Sequence, residues 1–571
     1  MNNITRRDLL RSVPAVAVTA AVMQTAHETN AESHDRLVLE CKWIEKNIEG
    51  LRVKLRSYNG NVPGELIKAY PGQTLRIRLK NSLPPVDSTG WDGSHNVPHM
   101  FDSTNLHLHG LDIIPHLFEP VGTGDPLSKM IDVMPGESYD YEFRIPDDQP
   151  PGLCWYHPHH HGSTAVQAVS GMAGPLITYG DIDEVPEIKA ARDLLLVVND
   201  IGLFPSEENP DIWTYSPKQN AMWDTLNGVV TMYDPKTGKQ ENTTLQGGFT
   251  AGDYKLRYYM LNGEPFFKET HNYAEKQGPE NPATHPIGKQ MTPQRFVIAP
   301  GEVVRFRMLN ACSDNYMPIV VEQHAMHLIA IDSVNFEETQ TIPAHTTKQE
   351  PVMQLRPNTA DRGQVAVPPG GRAEFLIQGI STPGIYRIMQ LEQRQQFLQS
   401  DQKVIAEIEI KGAPKQMSIP TKLPVQKRYY PRIKEEEITH VRNFVFSGVF
   451  PPVENVYVGI DFLINNNIYD ELAVPHVVRR DTAEEWHIQV LGAHHGGTEG
   501  HPFHVHVNHF EVISVDGNPV DYAPVADTVW VPLKSIVVIR MKFKEYTGKS
   551  VFHCHILPHE DTGMMQNFLI I

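Results

Sequence analysis

Cysteine is scarce: four residues in a chain of 571, too few to staple a protein of this length into a disulfide framework. Cys554 belongs to a motif described below. Cys41, Cys154 and Cys312 are expected to be buried small hydrophobes; sequence leaves open any pairing among them, which needs Cα atoms within about 7 Å. Long apolar runs are also missing. None reaches the roughly 18 to 20 residues of a membrane-spanning helix, so stable membrane insertion is not expected. Basic residues are outnumbered, with 50 Lys and Arg against 68 Asp and Glu and a net charge of -18. That balance excludes the cationic surface that nucleic acid requires.

What is present is an ordinary globular mixture, 40% apolar and 21% charged, in a chain long enough for two to four domains. The N-terminus stands apart. TRRDLLR (Thr5 to Arg11), the mildly apolar Val13 to Met23, and small polar residues up to Ser33 resemble a twin-arginine export signal. Residues 1–33 are therefore expected to engage the twin-arginine export machinery and place the protein in a periplasm, with cleavage after Ala26 or Ala31.

Internal repetition comes next. AYPGQTLRIRLKN (Ala69 to Asn81) has a counterpart in IAPGEVVRFRMLN (Ile298 to Asn310) and a weaker one in RRDTAEEWHIQVLG (Arg479 to Gly492). Turn-like tripeptides at Tyr58-Asn59-Gly60, Leu261-Asn262-Gly263 and Ile464-Asn465-Asn466 precede them. Second halves match as well: MPGESYDYEFRIPD then GLCWYHPH, PPGGRAEFLIQG then GIYRIMQL, PLKSIVVIRMKF then KSVFHCHI. Apolar and polar residues alternate in these segments between Gly, Pro, Asn and Asp, so they predict β-strands. The 45 prolines and 40 glycines punctuating short strands predict an all-β chain of three β-sandwiches in series. Boundaries are expected near residues 185 and 425, giving units 34–185, 186–425 and 426–571. The middle unit carries long irregular inserts, Gly202 to Gly252 and Phe336 to Val365, expected to cover surface or a partner domain.

Four short clusters carry chemistry: NLHLHG with His107 and His109, WYHPHHHG with His157 and His159, HPFHVH with His501, His504 and His506, and HCHILPHEDTGMM with His553, Cys554, His555, His559 and Met564. On an extended strand, alternate side chains share a face. Each His-x-His pair therefore points one way, and four pairs can converge on one site of eight imidazoles. Cys554, between His553 and His555, must face the other way, and so must His501. The sequence thus specifies two metal sites back to back. One, with His501, Cys554, His559 and Met564, is the two-imidazole, thiolate and weak-thioether set of a blue-copper centre. The other is all imidazole, and the strand His553-Cys554-His555 joins the two covalently.

These clusters, in this order and spacing, resemble the four copper-binding motifs of the multicopper oxidases, and the three repeats resemble that family's three cupredoxin-like Greek-key domains. The resemblance covers nearly all of the chain after the export segment. It implies four copper ions: type 1 at His501, Cys554, His559 and Met564, type 2 at His107 and His504, and a type 3 pair at His109, His157, His159, His506, His553 and His555. It also implies an oxidase coupling one-electron oxidation of a small reducing substrate to four-electron reduction of dioxygen to water. The middle unit has no ligands on its GIYRIM strand and is expected to be a spacer and lid. Glu560, beside His559, is expected on the proton path as in similar bacterial members, and Asp125, in GTGDP, resembles the acid near the type 2 copper.

Further histidines are expected to be bystanders. His160 and His161 prolong the second cluster out of register, and His95, His99, His116, His494 and His495 sit in Gly- and Pro-rich loops and are expected to be solvated. The 19 methionines are scattered, which favours phenols or aromatic amines over Cu(I) as reductant. The alternatives are a periplasmic cuprous oxidase for copper tolerance and, from another class, a non-catalytic exported scaffold of the same fold.

Overall fold

The repeats of sequence are repeats of strand pairing. A computed structural model describes residues 36–85, 98–206, 208–215, 228–234, 239–245, 255–270, 287–345, 364–394, 399–449, 452–453, 456–457, 461–491, 500–520 and 524–571. The export segment at 1–33 and His95, His494 and His495 lie outside the described residues, as do parts of both inserts.

In the first repeat, Leu37–Ile48 runs parallel to Thr74–Asn81, which pairs antiparallel with Ser138–Arg144. The same arrangement recurs with Arg192–Pro205, Val303–Asn310 and Arg372–Gln378, and again with Ile438–Val449, Ala483–Val490 and Ile536–Lys542. The accompanying sheets repeat too. Ile67–Ala69, Gly174–Thr178, Gly152–His157 and His107–His109 lie side by side in that order. Their equivalents are Gln294–Ile298, Lys403–Ile410, Gly384–Gln390 and Met317–Val321, then His476–Val478, Met565–Ile570, Gly548–Cys554 and His501–Val505. Three sandwiches of one topology follow one another, as the pattern predicts.

Period-2 alternation explains why these segments are strands. Along Thr74–Asn81, Leu75, Ile77 and Leu79 are buried, while Arg76 and Arg78 face outward and pair across the sheet with Glu142 and Asp140 at 2.9 and 2.7 Å. The turn tripeptides serve as hairpin corners. Asn59, Asn262 and Asn465 adopt φ of 54°, 51° and 52°, the left-handed conformation that asparagine tolerates and tight hairpins require. Each side-chain oxygen accepts a backbone N–H at 2.8 Å, from Glu40, Val197 and Val445 respectively.

The first two sandwiches share a sheet. Ile212–Thr214 pairs with Arg52–Lys54 on one side and with Phe204–Pro205 on the other, so part of the first insert fastens the second unit to the first. The inserts are less irregular than expected: Gly202 to Pro205 completes the strand Arg192–Pro205, and Val334–Ile342 is a strand paired with Met326–Ile331. The outer edge of that strand is bonded in turn by the segment at 421–423, Thr339 N–H to Thr421 O at 3.1 Å and Leu423 N–H to Glu337 O at 2.9 Å. All four cysteines are buried and free, which closes the question of pairing among Cys41, Cys154 and Cys312. Among the described residues, no helix is long and apolar enough to cross a membrane.

Candidate metal centre

The strand Gly548–Cys554 is the middle of its sheet, paired with Met565–Ile570 on one side and with His501–Val505 on the other. Register sets Phe503 opposite Cys554 and His504 opposite His553. His504 and His553 therefore face one side of this sheet, and His501 and Cys554 the other.

On that second side, His501 Nδ1 lies 3.3 Å from Cys554 Sγ and 3.2 Å from His559 Nδ1, and Cys554 Sγ lies 3.8 Å from His559 Nδ1. Metal–nitrogen bonds of about 2.0 Å and a metal–sulfur bond of about 2.3 Å at tetrahedral or trigonal angles produce donor separations of this order, so the three donors fit one ion. His559 reaches the site from the short helix Leu557–Asp561, stacked on Phe462 with ring centroids 3.8 Å apart. Met564 is fully buried in the same core as Cys554, and its backbone oxygen accepts the Cys554 N–H at 3.0 Å. Burial pushes the His501 ring down to about 3, which keeps a neutral lone pair available to a metal.

The first side holds the eight remaining histidines. His159 Nε2 and His506 Nε2 lie 3.0 and 3.2 Å from His553 Nε2; the rings of His109 and His504 stack at 3.9 Å and those of His107 and His506 at 3.8 Å. His555 sits 5.1 Å from His109 and 5.7 Å from His157, centroid to centroid. One nitrogen of most of these rings is held by the protein: His504 Nδ1 by Asp527 O at 2.7 Å, His157 Nδ1 by Pro158 O at 2.8 Å, His553 Nδ1 by Cys554 O at 2.9 Å, His109 Nε2 by Asp527 Oδ1 at 3.1 Å. The opposite nitrogens His504 Nε2, His157 Nε2 and His109 Nδ1, with His107 Nε2 and both of His555, are buried without a protein partner. Buried nitrogens left open while the outer ones are fixed are the arrangement of metal-ligating imidazoles. Burial lowers the pKa of every ring in this cluster, His157 to about 3 and His553 to about 4, so the set is neutral and able to take cations.

Matches to known sequences cover most of the chain. Three multicopper oxidase family models match residues 40–181, 231–343 and 433–571. The chain belongs to the multicopper oxidase family. It is 23% identical over 516 residues to the multicopper oxidase mco of Staphylococcus haemolyticus, covering 89% of this chain and 82% of that one. It is 22% identical over 572 residues to laccase-4 of Thanatephorus cucumeris, covering 96% and 91%. In structure it is similar to a multicopper oxidase from Campylobacter jejuni described as a metallo-oxidase, with a TM-score of 0.62, 21% identity and coverage of 94% and 93%. As a multicopper oxidase the protein is a copper-dependent oxidoreductase.

Within this multicopper oxidase the expected acids fare differently. Glu560 is fully buried, its oxygens 3.2 Å from His159 Nδ1 and 3.5 Å from His553 Nδ1. Burial, then the neighbouring Asp561, pushes its carboxyl well above the ordinary range, which favours the protonated form. Asp125 is instead exposed, closing a turn by accepting the Leu127 N–H at 2.9 Å. The longer loop after His109 carries it to the surface.

The acid at that end of the cluster is Asp527, which precedes the strand Thr528–Val531. A lone aspartate at the edge of the apolar run TVWV was its only local trace. Arg372, from the middle sandwich, binds it with both nitrogens, at 2.7 and 2.6 Å. Gly370 lies so close to the cluster that a Cβ there would stand 2.7 Å from the His555 ring, at a φ of +81°. The middle sandwich is therefore more than the spacer and lid expected: it builds one wall of the site. Asp561 accepts backbone N–H groups of Gly162 at 2.7 Å, Thr164 at 3.2 Å and Ala165 at 2.7 Å, tying the third sandwich to the first.

Two loop histidines expected in solvent are buried. His116 holds His107 Nδ1 at 3.2 Å through Nε2, and His99 packs 5.8 Å from His161, because the loops carrying them fold over the cluster. His160 and His161 are buried too, facing Asp132 at 3.5 Å and the Tyr469 ring at 4.5 Å, outside the groups of converging donors.

Proposed function

We propose that the protein is a periplasmic laccase-like oxidase, exported by the twin-arginine route. It couples four one-electron oxidations of a phenol or aromatic amine to reduction of dioxygen to water. Four copper ions are held: one by His501, Cys554, His559 and Met564, one by His107 and His504, and two by His109, His157, His159, His506, His553 and His555. When bound, copper supplies the one-electron redox chemistry and the dioxygen reduction that no side chain here provides.

The chain's own part is to position and to move protons. The observation that carries the reading is Cys554 between His553 and His555: its sulfur meets His501 and His559, while His553 meets His159 and His506 on the other face. Two backbone links thus join the two sites. Glu560, buried between His159 and His553, is placed to supply protons, a contribution of about 10²- to 10⁴-fold for a general acid. Asp527 and Arg372 hold His109 and His504 in orientation.

A second reading is a cuprous oxidase, favoured by the likeness to the Campylobacter jejuni protein described as a metallo-oxidase. The two separate in one experiment. Dioxygen uptake by copper-loaded protein is compared for a phenol, an aromatic amine and Cu(I); turnover of the organic reductants well above Cu(I) supports the first, and the reverse order replaces it with the second.

A further inference from the structure

A buried line of polar side chains leads from the histidine cluster to the surface, starting at histidines other than those Glu560 touches. Asp527 Oδ1 faces His109 at 3.1 Å, and its Oδ2 lies 3.6 Å from His509 Nε2. The other nitrogen of that ring, His509 Nδ1, lies 3.0 Å from Asp112 Oδ1 and 3.1 Å from Tyr429 Oη, and Tyr429 donates to the second Asp112 oxygen. Asp112, Tyr429 and His509 line a cleft of about 240 Å³, together with Lys427, Arg428 and Lys544. The path crosses all three sandwiches or their linkers. His509 and Asp527 come from the third, Asp112 from the first, Tyr429 from the segment entering the third, and Asp332 from the second accepts at His509 Nε2 through its carbonyl at 2.8 Å.

Two features single out His509. The strand carrying His501 and His504 ends at Val505, and Val507 follows at a φ of +74°, a conformation a β-branched residue adopts only under strain. That bend sends His509 to the junction of the sandwiches while His506 stays at the cluster. The surroundings also ask for a charged ring. Both nitrogens face acceptors, the Asp112 carboxylate and the Asp332 carbonyl, and only an imidazolium has two donors. The charged groups around it are Asp112 at 3.0 Å, paired with Arg428, and Asp527 at 3.6 Å, paired with Arg372; Asp332 also lies on Arg372, Asp148 and Glu545 on Arg428, and Lys544 over the Tyr429 ring. Burial alone would lower its pKa, but Asp112 and then Asp527 outweigh burial and raise it above the ordinary value.

We propose that His509, fed from the cleft through Tyr429 and Asp112, is a second proton relay to the imidazole cluster, separate from Glu560. The proposal rests on the oxidase function proposed above. In each delivery the ring releases its Nε2 proton toward Asp527 and is left neutral with its hydrogen on Nδ1. A half-turn about Cβ–Cγ carries the bare Nε2 toward the Asp112 side, where it takes one proton drawn from cleft water, and the return turn restores the starting cation. One proton moves inward and no electron moves.

The test uses two measurements. In metal-free wild-type protein, deuterium exchange at the His509 C2 position against pH, followed by mass spectrometry, reads the ring pKa. The expected value lies above the ordinary value of about 6.5, and Asp112→Asn lowers it. In copper-loaded protein reduced and then mixed with dioxygen, His509→Gln slows reoxidation by about 10²-fold and steepens its pH profile, with four coppers retained and reduction by substrate unchanged. Free imidazole restores the rate in His509→Ala, which a merely structural role would not allow. Wild-type reoxidation in copper-replete His509→Gln overturns the proposal. If that variant does not fold, a wild-type ring pKa at or below the ordinary value overturns it instead. A wild-type protein that binds copper but leaves dioxygen unreduced defeats the functional reading, and the exchange measurement still tests His509.

Discussion

Arg372 and Asp527 form a two-pronged ion pair across the boundary between the second and third repeats, Nη1 to Oδ1 at 2.7 Å and Nη2 to Oδ2 at 2.6 Å, with both side chains buried. Asp527 in turn holds His109 and His504. The middle repeat thus fixes the orientation of two imidazoles of the cluster.

Removing the cation should therefore disturb both fold and metal. Arg372→Met is expected to cost about 3–5 kcal/mol, since it strands a buried carboxylate, and to weaken copper binding about 10- to 100-fold, the usual effect of losing a group that orients a ligand. Thermal unfolding of metal-free protein and a competitive copper titration measure the two effects separately. Unchanged copper affinity would mean that the cluster orients itself.

The sulfur site offers a contrast between strong and weak donors. Cys554→Ser is expected to abolish the intense visible absorption and nearly all oxidase activity, because serine offers no soft thiolate, while about three of four coppers remain. A variant that stays blue refutes Cys554 as the thiolate ligand. Met564→Leu is expected to stay blue with a shifted potential, since an axial thioether binds weakly.

Glu560 is expected to act in only one half of the reaction. With Glu560→Gln, reduction by substrate stays near wild type while reoxidation by dioxygen slows by about 10²- to 10⁴-fold, at unchanged copper content. Stopped-flow mixing resolves the two halves. Full-speed reoxidation across the pH range would leave His509 as the sole acid route argued from this structure.

How much of this was written in the sequence follows from how each contact is built. The clustered histidines and Cys554 lie in four local motifs, and on the strands a period of 2 separates Cys554 and His501 from the other imidazoles; the threefold pairing of strands follows from repeats such as those at Thr74–Asn81 and Val303–Asn310. Asp527, Arg372, Asp112 and His509 carry no such spacing. They meet only because three sandwiches pack together, as the 155 residues between Arg372 and Asp527 illustrate. Asp125 was misplaced because the length of the loop after His109 does not say where that loop runs, and His116 and His99 because a polar loop sequence does not say that the loop is folded inward.

Asp112 should make the junction of the sandwiches acid-sensitive. Burial would raise its carboxyl, but Arg428 and then His509 outweigh burial and hold it below the ordinary value of about 3.9. A carboxyl depressed in the folded state stabilises above its unfolded pKa, and the stabilisation is lost as pH falls through the folded value. Asp112→Asn is therefore expected to destabilise metal-free protein by about 1–3 kcal/mol near neutral pH, with the gap to wild type closing below about pH 4. Denaturant melts of both proteins across that range check it. A gap that is independent of pH would mean the loss is one of packing.

The central claim is that two copper sites joined through Cys554 carry four electrons to one dioxygen. The most direct measurement counts the coppers on purified, copper-loaded protein and then titrates dioxygen consumed against a one-electron phenolic reductant, with catalase added to reveal hydrogen peroxide. Four coppers per chain, about four reductant molecules oxidised per dioxygen and no peroxide are the predicted result. Full copper loading with two reductant molecules per dioxygen and stoichiometric peroxide, or with no uptake, would contradict it.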